Sequence, residues 1–266
     1  MKIEVSHESP ISCLDKSLEY NDYAYALVHL FEESQEYYEF FDNLRKTSDI
    51  PVLLDNSIFE LGTAFDSVDY IKWIEILNPN YYIVPDVLFD GEKTMDSWIK
   101  FNLHPVPSEP AQIGVATGKD WNDIVNCYKF MSDHADYIAL GFNLQYFEVT
   151  GVGNTKLEKW CSGRQRLIKH LIDEGIWNWN KPHHLLGCSL AREFRYYVDN
   201  NIYNIKSCDT SNPVVAAIKG IQYNDDLGLE EKPSTLLADL IDHKMSSSEL
   251  EILDYNVKMF KKILRR

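Results

Sequence analysis

No stretch of about 18 consecutive apolar residues occurs in this 266-residue chain, so the sequence offers no membrane-spanning helix and no membrane role is expected. The N-terminus lacks the basic-then-apolar pattern of a secretory leader, and the expectation is a soluble chain working in a cytoplasm. Cysteine is scarce and dispersed: Cys13, Cys127, Cys161, Cys188 and Cys208 form no CxxC pair and no Cys/His cluster at zinc spacing. An odd count of five argues against a disulfide framework and for reduced thiols. His183 and His184 are adjacent on what reads as a strand, so they point to opposite faces and make poor co-ligands. No metal site, zinc or other cofactor is therefore expected. GxGxxG and Walker-type loops are missing, which leaves dinucleotide and P-loop binding without support. Positive charge is short as well: 26 Lys and Arg stand against 41 Asp and Glu, a net charge of −15. That balance counts against nucleic-acid binding, where phosphate contacts dominate affinity. Such a role would need a local basic face or a partner protein.

What is present is a rhythm of short apolar runs alternating with helical spacing. Strands are predicted at Lys2–Glu8, Tyr25–Phe31, Val52–Asp55, Tyr81–Val84, Gln112–Ala116, Tyr137–Leu140, His184–Leu186 and Tyr203–Ser207. Between them lie helical patterns, such as Ser67–Leu77 with Val68, Ile71, Ile74 and Leu77 on one face. Asn212 reads as an N-cap with Pro213 at the first helical position. Eight strands with intervening helices give an α/β fold, a (β/α)8 TIM-like barrel over residues 1–223. A doubly wound open sheet is the alternative, with fewer strands and a Gly-rich first turn. Glu230-Glu231-Lys232-Pro233 reads as a connector. Residues 224–266 then form a C-terminal helical extension packed on the barrel. Its last helix has a capping box at Ser248 and Glu251 and an apolar stripe of Leu250, Leu253, Val257, Phe260 and Leu264.

A barrel places its chemistry at the C-terminal tips of its strands. Those tips supply Asp55 with Asn56 and Ser57, Asp86, Thr117 with Gly118, Gly141, Gly187 with Ser189, and Asp209. Each residue has a plainer reading, since Asp and Asn start turns for local hydrogen-bonding reasons. Three carboxylates on three tips are harder to explain as scaffold, because crowded like charges cost stability. Glycines on other tips let a flat ligand approach the backbone. Two carboxylates flanking one anomeric carbon suit glycosidic chemistry, one attacking and the other moving protons.

The order of these tips resembles the tRNA-guanine transglycosylases, which exchange guanine for a 7-deazaguanine on a (β/α)8 barrel. Asp55-Asn56-Ser57-Ile58-Phe59-Glu60 is similar to their Asp-Ser-Gly-Gly-Phe-Gln motif. Cys208-Asp209-Thr210-Ser211-Asn212-Pro213 is similar to Phe-Asp-Cys-Val-Leu-Pro, and His184-Leu185-Leu186-Gly187-Cys188-Ser189 to Tyr-Leu-Met-Gly-Val-Gly. Asp86, Ala116-Thr117-Gly118 and Leu140-Gly141-Phe142-Asn143 fill the intervening motifs in order, over roughly residues 50 to 215. The resemblance implies that Asp209 is the nucleophile at C1′ and Asp55 the general acid/base. It implies that Asp86 reads the amino and ring N–H edge of the base and that Phe59 and Leu186 sandwich the ring. Gly141 and Phe142 would meet its far edge, with Asn56, Ser57, Thr117, Gly118 and Gly187 completing the base site.

The departures redirect the expectation. The family's zinc-binding cluster has no counterpart, the family Gln is Thr117, and the second glycine of its Gly-Gly pair is Phe142. A chain without the tRNA-docking zinc subdomain fits the short phage-encoded relatives that insert 7-deazaguanines such as preQ0 into DNA as protection against restriction. The expected partners are then DNA and a free 7-deazaguanine base, in a host cytoplasm if the chain is phage-encoded. Lys156, Lys159, Arg164, Arg166 and Lys169, with Arg192 and Arg195, are the candidate phosphate contacts. Their plainer reading is a solvated helix face, and the basic residues from Lys258 to Arg266 complement a helix dipole. Alternatives are a hydrolase releasing the base, a tRNA-directed exchange enzyme, and a binding module without activity.

Overall fold

The computed structural model describes residues 2–188, 190–224, 228–229 and 235–265. Its strands are β1 (Glu4–His7), β2 (Ala24–Leu27), β3 (Val52–Asp55), β4 (Tyr81–Ile83), β5 (Ala111–Ala116), β6 (Tyr137–Leu140), β7 (His183–Leu185) and β8 (Ile205–Thr210). They form one eight-stranded sheet in the order β1-β8-β7-β6-β5-β4-β3-β2. The pairings β1/β8, β2/β3, β3/β4, β4/β5 and β5/β6 are parallel. This is the (β/α)8, TIM-like order expected from the alternation. The strands are short and buried along nearly their whole length, as parallel strands covered by helices must be.

The helices are α1 (Leu14–Leu18), α2 (His29–Glu33), α3 (Gln35–Thr47), α4 (Ile58–Leu61), α5 (Ser67–Leu77), α6 (Gly91–Phe101), α7 (Trp121–His134), α8 (Leu144–Thr150), α9 (Lys156–Asp173), α10 (Arg192–Asp199), α11 (Asn212–Ile218) and α12 (Ser247–Arg265). Among the described residues no helix is long and apolar enough to cross a membrane. The chain divides into two compact units.

One unit spans Asp22–Asn143 and Asn178–His184 and contains β2 to β6 with α2 to α7. Its longer helices start on oxygen-bearing caps: Ser34, Asp66, Asp90 and Asp120 each accept backbone N–H bonds from the first turn. Phe31, Tyr37, Phe41 and Trp73 form an aromatic core beside α2, α3 and α5. His183 and His184 do face opposite ways. The Nε2 of His183 pairs with the Tyr128 hydroxyl at 2.8 Å, while His184 stacks on Tyr25 at 6.4 Å between ring centroids.

The other unit contains β1, β8, α1 and α8 to α12. Here α8 crosses α9 at Gly163, where a Cβ would lie 2.6 Å from the Phe147 Cα, so only glycine permits the approach. The C-terminal helix α12 packs Leu253 and Val257 against Val214, Val215 and Ala217 of α11. Asn256 fastens α12 to the chain that leaves α11, accepting from the Tyr223 N–H at 2.8 Å and donating to the Ile221 carbonyl at 3.0 Å.

Several local expectations shift. The predicted strand Tyr25–Phe31 stops at Leu27, because His29 to Phe31 already turn in α2. Strand β8 runs on through Cys208 and Asp209 to Thr210, beyond the predicted Tyr203–Ser207. Asn212 is the first helical residue of α11, not its cap. The Thr210 hydroxyl accepts its N–H at 3.1 Å, which frees the Asn212 side chain to accept from the Tyr223 hydroxyl at 2.7 Å. The capping box of α12 is Ser246 with Glu249, not Ser248 with Glu251: Glu249 Oε2 accepts the Ser246 N–H at 2.6 Å and Ser246 Oγ accepts the Glu249 N–H at 3.4 Å. The predicted connector Glu230-Glu231-Lys232-Pro233 lies outside the described residues, as do Ser189 and Arg266.

Candidate functional site

In the unit holding β2 to β6, Asp55 is the last residue of β3 and is 7% exposed. Register explains its neighbours. Leu27 of β2 lies opposite Asp55 and Tyr25 opposite Leu53, so with a period of two all four side chains share one face. Tyr25 reaches along that face and donates its hydroxyl to Asp55 Oδ1 at 2.9 Å. The other oxygen, Oδ2, accepts the Ser57 N–H at 2.7 Å. That second bond is a local Asx turn, so the plainer reading of Asp55 is realised alongside its placement at a strand tip. Ser57 adopts the left-handed backbone region at φ 58°, uncommon for a residue with a side chain, and its Oγ accepts the His29 N–H at 3.3 Å.

One strand over, Asn56 donates to Asp86 Oδ1 at 2.9 Å and to the Val84 carbonyl at 3.2 Å. Asp86 is 6% exposed. Burial pushes its carboxyl from an ordinary 3.8 up to about 6, and the Asn56 amide and a backbone bond hold it back from rising further. A carboxyl of this kind changes charge near physiological pH. Its folded-state pKa is raised, so it contributes stability that is full below pH 4 and lost as pH rises through 6. Over that window the loss from this group is about 3 kcal/mol. The Asp86→Asn variant should lack this slope. Urea unfolding of both proteins from pH 4 to pH 7 checks it, and parallel stability curves would refute the assignment.

Thr117 follows β5, and Gly141 and Asn143 follow β6. The Thr117 hydroxyl donates to Asn143 Oδ1 at 2.7 Å, and the Asn143 N–H bonds the Gly141 carbonyl at 3.0 Å. A Cβ on Gly141 would press to 3.3 Å from Thr117, so the bare backbone there keeps the two tips together. Gly118 meets the start of α7, where a Cβ would lie 2.6 Å from the Ile124 nitrogen; its glycine serves helix packing. Phe142 is half-buried, and Phe59 is 54% exposed on α4.

In the unit holding β1 and β8, Asp209 is 6% exposed, and both its oxygens lie 3.1 Å from the Gly187 N–H. Gly187 sits at φ 63°, a conformation that suits glycine. The segment Leu186–Gly187 is fastened from behind by Arg164. Its Nη1 donates to the Leu186 carbonyl and its Nη2 to the Gly187 carbonyl, both at 2.8 Å. Nε and Nη2 pair with the Glu193 carboxylate at 2.7 and 3.0 Å. Burial disfavours the charge on Arg164, but Glu193 more than offsets it, so the guanidinium is held above its already high ordinary pKa.

Arg164 therefore corrects one expectation: it is 0% exposed and is no phosphate contact. The reason is its place on α9, on the stripe of Leu157, Cys161, Ile168 and Leu171 that faces inward. Arg192 is half-buried and pairs with Glu158 at 2.9 Å, Lys156 lies 3.6 Å from Glu148, and Arg195 lies 3.6 Å from Asp199. Lys169 pairs with Asp173 at 2.7 Å. Lys159 is half-buried and Arg166 exposed. Of the candidate cations, Arg166 is the one that combines exposure with freedom from an ion pair among the described residues.

Tyr25 and the Arg164–Glu193 pair have no counterpart among the sequence expectations for the site, and Asn143 enters there only within the Leu140-Gly141-Phe142-Asn143 segment. Same-face alternation would have found Tyr25, and the position two residues past Gly141 would have found Asn143. Among the described residues no group of three or more His, Cys, Asp or Glu side chains could hold a metal ion. No protein-family model matches this chain, and no curated protein matches it.

Proposed function

We propose that the chain is a base-exchange transglycosylase that replaces guanine in DNA with a 7-deazaguanine through a covalent enzyme–sugar intermediate. The observation that carries this reading is the burial of three carboxylates at strand ends: Asp55, Asp86 and Asp209 are 7%, 6% and 6% exposed. The ordered likeness of the surrounding segments to the guanine-exchanging enzymes supports it. Asp209 attacks C1′, the C1′–N9 bond breaks, and its electron pair leaves with guanine, which takes a proton from the Asp55 carboxyl. The carboxylate left on Asp55 then removes the N9 proton of the incoming base. N9 attacks C1′, and the bond from sugar to Asp209 breaks with its electrons returning to the carboxylate. Two displacements retain configuration.

Asp86 reads the amino and ring N–H groups as a charged acceptor. With its pKa near 6, kcat/KM falls as pH drops below that value. Intact mass spectrometry tests the intermediate: denatured protein after incubation with guanine-containing oligonucleotides should carry a covalent DNA adduct. An RNA adduct alone would move the reading to tRNA exchange, and no adduct with either would remove it.

The charge of −15 and the burial of Arg164 favour a second reading, hydrolysis of a free nucleoside, which brings few phosphates. Release of guanine without uptake of a labelled 7-deazaguanine distinguishes it.

A further inference from the structure

Asn143 is 1% exposed, its Oδ1 is occupied by the Thr117 hydroxyl, and its Nδ2 meets no hydrogen-bond acceptor among the described residues. A buried amide NH2 left without an acceptor is destabilising, so an amide retained at this place calls for a partner. Thr117 turns the amide by donating to its oxygen, so the nitrogen is the end left for a ligand. Asp86, Thr117 and Asn143 follow β4, β5 and β6, which are consecutive neighbours in the sheet. At about 4.8 Å per strand the outer two rise from strands about 10 Å apart, with Thr117 between them.

We propose that Asn143 is the specificity residue for a carbonyl oxygen on the bound base, its Nδ2 donating to the 6-oxo group while Asp86 accepts from the neighbouring ring N–H and amino group. The ligand class is a 6-oxo-2-amino purine or 7-deazapurine. The assignment rests on the base-exchange reading for the identity of the ligand, but not on any reaction taking place. The acceptor–donor–donor edge of such a base fits an amide donor beside a carboxylate acceptor. Replacing the carbonyl by a weaker acceptor spoils the Asn143 bond alone.

The test is calorimetric binding of free guanine and 6-thioguanine, which share the ring N–H and amino group and differ at the acceptor. The wild-type chain should prefer guanine by at least about tenfold, the worth of one good hydrogen bond. Asn143→Leu should lose about 10- to 100-fold in guanine affinity and level the two ligands. Its unfolding temperature is recorded alongside, because the change removes the orphaned amide but also takes the acceptor from the buried Thr117 hydroxyl. Asn143→Asp keeps the shape and turns the donor into an acceptor, so it should bind guanine more weakly still. Equal guanine binding by wild type and Asn143→Leu would overturn this inference alone. If the wild type binds neither base, the base-exchange reading fails with it.

Discussion

Asp209→Asn should reduce base exchange by on the order of 10⁴-fold or more while leaving the protein folded. On the proposed mechanism the amide cannot form the bond to C1′, so the covalent route closes and only binding and orientation remain. Gly187 N–H lies 3.1 Å from both carboxylate oxygens, so Asn still offers it one acceptor, at a local cost of about 1 kcal/mol for the oxygen lost. Asp209→Glu is the sharper companion. It keeps the charge but moves the attacking oxygen outward by one methylene, and a displacement of about 1 Å is worth on the order of 10²-fold. Single-turnover incorporation of a labelled 7-deazaguanine measures both. An Asp209→Asn rate within tenfold of wild type would remove Asp209 as nucleophile, whatever the fate of the other carboxylates.

The alternation of elements was legible because parallel strands covered on both faces are short continuous apolar runs, as at Val52–Leu54 and Tyr137–Leu140. Ends were less legible, because hydrogen bonds that no periodicity reveals set them. At the start of α11 the Thr210 hydroxyl takes the N–H of Asn212, and the amide that reads as a cap turns instead to Tyr223. The capping box of α12 slid by two residues for a similar reason. Its Ser-rich run offers several oxygens, and only Ser246 meets a Glu three residues on with both bonds made. The strand-tip residues Asp55, Asp86 and Asp209 could be placed by position, yet their partners could not. Tyr25 reaches Asp55 from another strand, 30 residues earlier, and Asn143 meets Thr117 across 26 residues. The burial of Arg164 was legible in the sequence. Its spacing from Leu157, Cys161 and Leu171 already placed it on the buried stripe of α9, and a basic residue there needs an acid, which Glu193 supplies.

Arg164→Met should destabilise the protein by about 3–5 kcal/mol, because it leaves the Glu193 carboxylate buried without its cation. Both side chains are 0% exposed, so water cannot take over for the lost partner. Two carbonyls, those of Leu186 and Gly187, lose their donors in the same step. The Tyr197 hydroxyl, which donates to Glu193 Oε1 at 2.6 Å, is too small a compensation for a full charge. Arg164→Lys should recover only part of the loss, since an ammonium cannot span a carboxylate and two carbonyls as the planar guanidinium does. Arg164→Met with Glu193→Gln should be more stable than Arg164→Met alone, because the uncompensated charge is gone even though the pair is not restored. Urea unfolding of the three variants measures these differences, and an Arg164→Met protein within about 1 kcal/mol of wild type would show that the pair contributes nothing to the fold. The same clamp fixes the carbonyl side of the Leu186–Gly187 segment whose N–H faces Asp209. Arg164→Lys, if it folds, should therefore lower the rate of covalent adduct formation more than it weakens base binding. A loss confined to stability, with adduct formation unchanged, would make Arg164 a purely structural residue rather than one that positions Gly187 for the carboxylate.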